Sequence, residues 1–199
     1  MSVDVGGIVV HAGHVTVPDQ RALVDEVRAV LRAAPLFRPE TRRGGVMSVR
    51  MTSAGRYGWI SDRSGYRYAP RHPEGHDWPP IPPRALDIWR ALSGVERDAQ
   101  SCLINFYDAD AKMGMHQDRD EADLSMPVVS ISLGDEALLR VGGPERGGRT
   151  QSIWLKSGDV AVMAGAARLN FHGIDRVRAG SSSLLPKGGR INLTLRVVD

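Results

Sequence analysis

The stretch Met113–Asp120 reads Met-Gly-Met-His-Gln-Asp-Arg-Asp, and two of its residues, His116 and Asp118, are metal-ligand types one position apart. On an extended backbone residues i and i+2 project from the same face, so both can close on one ion. A third donor, His172, follows 54 residues after Asp118 within Arg168-Leu-Asn-Phe-His-Gly. Two imidazoles and one carboxylate form the facial triad that holds Fe(II) and leaves three coordination positions open for substrates and oxygen. Alone, His-x-Asp is also an ordinary surface-loop tripeptide. The C-terminal strand decides between the two readings.

That strand, Arg190-Ile-Asn-Leu-Thr-Leu-Arg196, alternates without a break. Arg190, Asn192, Thr194 and Arg196 line one face, and Ile191, Leu193, Leu195 and Val197 line the other. A half-buried surface strand alternates too, but this polar face carries two arginines with no acidic residue on it to pair them. Their Cα atoms lie about 20 Å apart at ~3.3 Å per residue. Guanidinium forks match carboxylates, so two arms leaning inward can grip the ends of a five-carbon dicarboxylate. Asn105 and Tyr107, on one face of an earlier strand, can add neutral donors to the same ligand.

The elements that must position these groups are strands. Glycine (22) and proline (12) are frequent, which suits short strands and turns better than long helices. With 199 residues, 42% of them hydrophobic and 25% charged, the chain fits one domain with a sizeable core. No apolar run approaches the ~20 residues that cross a bilayer, and the first residues lack the basic start and apolar stretch expected of a signal peptide. Cys102 is the only cysteine, which points to a reducing cytoplasm.

In chain order, Ile8–Val10 predicts an edge strand. Asp19 after Pro18 predicts a helix N-cap, and Leu23, Val27, Val30 and Leu31 give that helix an apolar face ended by Pro35. Met47, Val49 and Met51 alternate with polar residues in a strand opened by Gly44-Gly45. Residues 53–83 lack periodicity and read as loops and short hairpins, the kind of segment that forms a substrate lid. Pro83–Leu92 predicts a second helix burying Ala85, Leu86 and Trp89. Strands are then expected at Ser101–Tyr107, Pro127–Leu133, Ala137–Val141, Gln151–Lys156, Asp159–Met163, Arg168–Ile174 and Arg190–Val198. Such a series, with helices confined to the N-terminal half, predicts a mainly β fold with flanking helices: two packed antiparallel sheets, a jelly roll. No repeat or linker divides the chain, so residues 1–199 are expected to form one domain, with the jelly-roll core over 101–198 and a lid over about 38–82.

Charge is uneven along the chain. Between Arg38 and Arg71 eight arginines (38, 42, 43, 50, 56, 63, 67 and 71) face only Glu40 and Asp62. Tyr57, Trp59, Tyr66 and Tyr68 interleave with them. Arginines beside aromatic platforms suit phosphates and stacked bases, although scattered charges on a solvated loop read the same way.

Taken together, His116-Gln-Asp118, His172 and Arg190-x-Asn192-x-Thr194-x-Arg196 resemble the signature of AlkB-type Fe(II)- and 2-oxoglutarate-dependent nucleic-acid dealkylases. Leu103-Ile-Asn-x-Tyr107, Gly143, Gly158-Asp159-Val160 and Phe171-His172-Gly173-Ile174 extend the resemblance from about Met47 to Val197, and it fades over the first 45 residues. It implies a double-stranded β-helix with an N-terminal nucleotide-recognition lid. His116, Asp118 and His172 then match the family's iron ligands. Leu103, Asn105, Tyr107, Arg190, Asn192 and Arg196 match its 2-oxoglutarate residues, with Arg190 on the distant carboxylate and Arg196 nearer the iron. Met47, Met51, Trp59, Tyr66 and Asp120 match positions at the base: Trp59 stacks on it, His116 lies on its other side, and Asp120 meets its exocyclic amino group or ring charge.

The activity implied is oxidative dealkylation of N-alkylated bases in DNA, single- or double-stranded, or in RNA, with O₂ as oxidant. A monomer is expected. Met163 and Arg140 depart from the family pattern, and both Arg146 and Arg149, beside the glycine-rich turn 142–148, can serve as a substrate arginine. A 2-oxoglutarate oxygenase acting on a small molecule or protein side chain would keep the triad and the arginines but need no Arg-rich aromatic lid. An inactive nucleic-acid-binding module would not need the triad.

Overall fold

The computed structural model describes residues 1–41 and 44–199. Arg42 and Arg43, counted above in the Arg-rich segment, lie outside the described residues. The chain begins with β1 (Ser2–Val5), β2 (Ile8–His11), α1 (Val17–Ala33), β3 (Arg50–Gly55), β4 (Gly58–Asp62), β5 (Gly65–Ala69) and α2 (Pro83–Leu92). Eight strands follow: β6 (Ser101–Tyr107), β7 (Met113–His116), β8 (Val128–Gly134), β9 (Glu136–Val141), β10 (Gln151–Leu155), β11 (Val160–Met163), β12 (His172–Arg178) and β13 (Arg190–Arg196).

Every strand pairing is antiparallel. The large sheet runs β1-β2-β11-β8-β13-β6-β3 and the small one β10-β9-β12-β7, while β4 and β5 form a separate hairpin. This is the expected jelly roll, with both α-helices of the described residues in the first half. The helices cover one face of the large sheet: Leu23, Val24 and Val27 of α1 and Trp89 of α2 pack with Ile104, Ile131, Leu193 and Leu195. The opposite face packs toward the small sheet through residues such as Leu103, Tyr107, Leu139, Val141 and Ile174. Strand β13 is therefore buried on both faces, not half-buried, and its polar face points into the space between the sheets. Leu193 and Leu195 are fully buried, and trimming either to alanine would cost about 2–5 kcal/mol.

Several boundaries differ from expectation for local reasons. Helix α1 is capped by Thr16, not Asp19: the Thr16 hydroxyl accepts the Asp19 N–H and donates to its carboxylate, with Pro18 in the first turn. Strand β2 is not an edge, because β1 pairs on one side and β11 on the other. The strand expected around Met47 starts at Arg50 and runs on to Gly55. The one expected over Arg168–Ile174 starts at His172, because a 3₁₀ turn at Gly165–Ala167 precedes it. That turn carries the Arg168 side chain into the interior.

Candidate active site

Two short strands bring the three ligand candidates together. His116 ends β7, His172 opens β12, and the two residues are register partners. Gly173 makes the approach possible, since a Cβ there would sit 2.6 Å from the Met113 carbonyl oxygen. Asp118 lies just past β7, with one carboxylate oxygen 3.8 Å from His116 Nε2 and the other 3.8 Å from His172 Nε2. The ligand atoms of all three lie within 4.8 Å of one another. Both imidazoles are held by carbonyls at Nδ1, His116 by Gly114 (2.9 Å) and His172 by Asn170 (3.0 Å). A carbonyl can only accept, so Nδ1 carries the proton and Nε2 presents its lone pair to the centre. Burial lowers His172 to about 4, which keeps it neutral near pH 7. Burial alone would raise Asp118, but Arg196 and the two imidazoles outweigh it and hold the carboxyl well below its usual range.

Among the described residues His72, Glu74 and His76 also lie within ligand distance of one another. Their imidazoles are nearly parallel (11°, centroids 4.3 Å apart), so the nitrogen lone pairs run side by side and do not converge. The rings of His116 and His172 are inclined at 50°, as convergence on one ion requires.

The polar face of β13 supplies the next layer. Arg190 is 1% exposed and donates to Ser132 Oγ at 2.9 Å, with its guanidinium 5.3 Å from the centre of the Tyr107 ring. Its Nε and Nη1 have no partner. A buried cation so poorly compensated is strongly unfavourable alone and calls for an anion. Asp118 Oδ2 and Asn105 Oδ1 are likewise buried without partners. These orphaned groups fit a metal ion at the triad and a carboxylate at Arg190, which is what Fe(II) and 2-oxoglutarate would bring.

Arg196 differs from the expectation that β13's arginines lack acidic partners. Asp118 Oδ1 lies 2.9 Å from its Nη2 and Glu121 Oε1 lies 3.3 Å from its Nε, acids that alternation within the strand cannot reveal. Burial would lower the guanidinium, but Asp118, Tyr68 and Glu121 keep it firmly charged. Arg196 thus sits beside the three ligand candidates, with the Asp118 carboxylate in its grip. Asn192 also has less free capacity than expected, because its amide donates to Ser130 Oγ (2.7 Å) and the Ile131 carbonyl (3.1 Å).

One cavity of about 540 Å³ contains all of these groups. Its wall includes Leu103, Asn105, Tyr107, Arg190, Asn192 and Arg196, and nearer the hairpin Met47, Met51, Trp59, Tyr66 and Asp120. Trp59 and Tyr66 stack on each other, 5.5 Å between centroids and 22° between planes. The Trp59 indole N–H donates to Asp120 Oδ2 at 3.0 Å, so Asp120 faces the platform. Arg146 lines the cavity over the Phe171 ring (5.1 Å), whereas Arg149 does not line it. Met163 reaches the cavity and Arg140 does not. Sequence reasoning missed Glu121 and Arg168; Glu121 is buried and accepts at 2.5 Å from the hydroxyl of Tyr68, which was read only as an aromatic platform beside the arginines. The signal was a second acid one residue past Asp120.

The Arg-rich segment is less free than its charge suggests. Arg38 and Arg50 reach Asp108, Arg56 reaches Asp199, Arg63 Glu40, Arg67 Asp62 and Arg71 Asp77. These are solvent-exposed surface pairs, weak enough for a phosphate to displace the acid.

Residues 7–196 match the profile of the 2OG-Fe(II) oxygenase superfamily. The chain is 53% identical over 193 residues to the alpha-ketoglutarate-dependent dioxygenase AlkB homolog of Caulobacter vibrioides, covering 96% of this chain and 88% of that protein. It is 37% identical over 179 residues to the alpha-ketoglutarate-dependent dioxygenase AlkB of Escherichia coli K12, covering 87% and 82%. The solved structure of OsALKBH1 superposes with a TM-score of 0.78 at 28% identity, over 98% of this chain and 100% of that one. The similarity extends into the first 45 residues, where the motifs alone suggest that it fades.

Proposed function

The chain belongs to the 2OG-Fe(II) oxygenase superfamily and, within it, to the AlkB-type dioxygenases, and from that premise we propose that it removes alkyl groups from N-alkylated bases of DNA. The observation that carries the substrate class is the aromatic platform of Trp59 and Tyr66, which shares one cavity with the triad and with Asp120. A small-acid oxygenase needs no such platform. Its relatives point the same way by name, DNA N(6)-methyladenine demethylase ALKBH1C of Arabidopsis thaliana among them.

His116, Asp118 and His172 would hold Fe(II), and Arg190 would take the distant carboxylate of 2-oxoglutarate, with Leu103, Asn105, Tyr107, Asn192 and Arg196 shaping the rest of that pocket. The bound iron supplies oxygen activation, coupled to decarboxylation of 2-oxoglutarate. One oxygen atom of O₂ ends in succinate and the other in a hydroxylated alkyl group, which leaves the base as an aldehyde. A base inside a duplex cannot reach a buried centre, so it is extruded or arrives on a single strand. Trp59 stacks on one side of it and the half-exposed His116 ring borders the other, a contact worth about 1–3 kcal/mol. Met47 and Met51 close the apolar floor. Asp120 accepts from the exocyclic amino group or neutralises a ring charge, giving up or sharing the Trp59 N–H. Residues 38–82 serve as the lid, and Arg146 at the rim contacts the strand.

We also place the protein as a monomer in the cytoplasm, and the second of these readings is supported by its single, fully buried cysteine. No helix among the described residues is long and apolar enough to cross a membrane. The reading of function is tested by succinate production with and without oligonucleotides carrying N1-methyladenine, in DNA and RNA and in single and double strands. Stimulation by the methylated DNA alone supports it. Equal turnover with and without the oligonucleotide would favour a small-molecule oxygenase.

A further inference from the structure

Asp118 is the least supported of the three ligand candidates by regular structure. The β7–β12 ladder ends at the His116–His172 pair, and residues 117–120 belong to no strand or helix. No backbone ladder therefore fixes where the carboxylate stands. On the other side, the residues leading into His172 follow the 3₁₀ turn and also lie outside a strand.

Each of these irregular segments sends a side chain across to the other. Gln117, between the first two ligands, donates its amide to the Leu169 carbonyl at 2.6 Å and to the Pro144 carbonyl at 3.0 Å. Arg168 reaches back in the opposite direction, with Nη1 2.5 Å from the carbonyl oxygen of Asp118 itself. Its Nη2 meets Glu121 Oε2 at 2.9 Å, and its Nε donates to the Met126 carbonyl at 2.7 Å. Arg168 is 2% exposed and all three of its nitrogens are engaged, so the planar fork is locked in one orientation. Glu121 is shared with Arg196, which grips the Asp118 carboxylate. Asp118 is thus held at its carbonyl by Arg168 and at its side chain by Arg196.

We propose that Arg168 and Gln117 are positioning residues: together they clasp the two ligand-bearing segments and set the geometry of the metal centre. The proposal rests on the reading of His116, Asp118 and His172 as ligands. It explains why an arginine occupies a buried position four residues before His172, since the single nitrogen of a lysine cannot span acceptors that Nε, Nη1 and Nη2 meet separately. Substitution of the groups that orient ligands typically weakens metal binding by about 10–100-fold. A side chain that only filled space would lower stability and leave the metal's coordination unchanged.

Co(II) in place of Fe(II) tests this without turnover, because its visible absorption spectrum reports coordination geometry and its titration reports affinity. Wild type is expected to bind one Co(II) at the triad and Asp118→Ala to lose it. Arg168→Lys and Gln117→Leu should each weaken Co(II) by about tenfold or more and alter the spectrum, with Arg168→Met weaker still. Val27→Ala, which loosens the core from α1 far from the site, should lower the melting temperature with spectrum and affinity unchanged. A folded Arg168→Lys protein with wild-type affinity and spectrum would overturn the proposal. If Arg168→Lys does not fold, Gln117→Leu decides: unchanged binding overturns the clasp and weakened binding with an altered spectrum supports it. Failure of wild type to bind Co(II) would instead overturn the ligand reading, and the clasp with it.

Discussion

Replacing Arg190 with methionine should weaken 2-oxoglutarate binding and stabilise the metal-free protein, two effects of opposite sign from one change. The guanidinium is fully buried with a single hydrogen bond, to Ser132, and two nitrogens without partners. Burial lowers its proton affinity, a mark of how poorly the charge is compensated. In the empty pocket that charge destabilises the fold, and an apolar side chain of similar length removes the penalty. Exchanging buried charged groups for apolar ones can stabilise by about 1–4 kcal/mol. For a domain of this size each kcal/mol raises the melting temperature by about 2–4 °C. With the dicarboxylate present the balance should reverse, because on the proposed reading its far carboxylate loses the buried cation that faces it. Truncating one partner of such a pair costs about 2–5 kcal/mol, or a rise in Kd of about thirtyfold to several thousandfold. Calorimetric titration of 2-oxoglutarate into Mn(II)-loaded protein and thermal melts of metal-free protein read the two effects separately. An unchanged Kd would move the carboxylate anchor elsewhere. A melting temperature lowered by several degrees would mean that Arg190 belongs to a satisfied structural network.

Asp118→Ala and His172→Ala should each abolish turnover while the far-ultraviolet circular dichroism stays that of wild type, and near-normal activity of His172→Ala would refute the triad. Trp59→Ala should lower activity on a methylated oligonucleotide and leave most of the salt dependence of binding, because stacking is largely insensitive to salt. Arg56→Ala with Arg63→Ala, whose acids sit at 3.4 and 3.6 Å, should flatten the plot of log affinity against log salt by up to about 1.4 for single-stranded DNA. A wild-type slope near zero would remove nucleic acid as the partner. The metal-free protein should lose stability as pH falls from 6.5 toward 4. The unfolded chain protonates His172 near 6.5 and the native state only near 4, so the unfolded state binds more protons in that window. The slope from this group is at most about 1.4 kcal/mol per pH unit, and Asp118, whose pKa is depressed, contributes losses only below its ordinary range. Urea melts at pH 7, 6 and 5 would show it, and equal midpoints would contradict it.

The sequence showed most clearly what is periodic. The alternation of β13 located both arginines, and the break in periodicity after residue 53 located the hairpin with Trp59 and Tyr66. Helix α2 was bounded by its own proline and apolar spacing, so its limits agree with expectation. Contacts between distant segments were not legible. Asp118 and Glu121 meet Arg196 across some 75 residues of chain, so the strand's arginines looked unpaired. The lid's positive charge looked free for the same reason, since Asp108 and Asp199, which neutralise three of its arginines, come from elsewhere in the sequence. Strand β1 went unseen because Ser-Val-Asp-Val is too short to stand out and is stabilised by pairing with β2. The cap of α1 was misplaced because Thr16 and Asp19 bond reciprocally, and either residue type is a good cap.

Dealkylation itself is tested most directly by following both products in one reaction. A single-stranded oligonucleotide bearing one N1-methyladenine is incubated with the Fe(II)-loaded protein, 2-oxoglutarate and O₂, and succinate and formaldehyde are quantified while mass spectrometry follows the methyl group. The account predicts one formaldehyde per methyl lost, succinate in at least equal amount, and no methyl loss when 2-oxoglutarate is withheld. Succinate formed at the same rate without the oligonucleotide, with the methyl group intact, would contradict it.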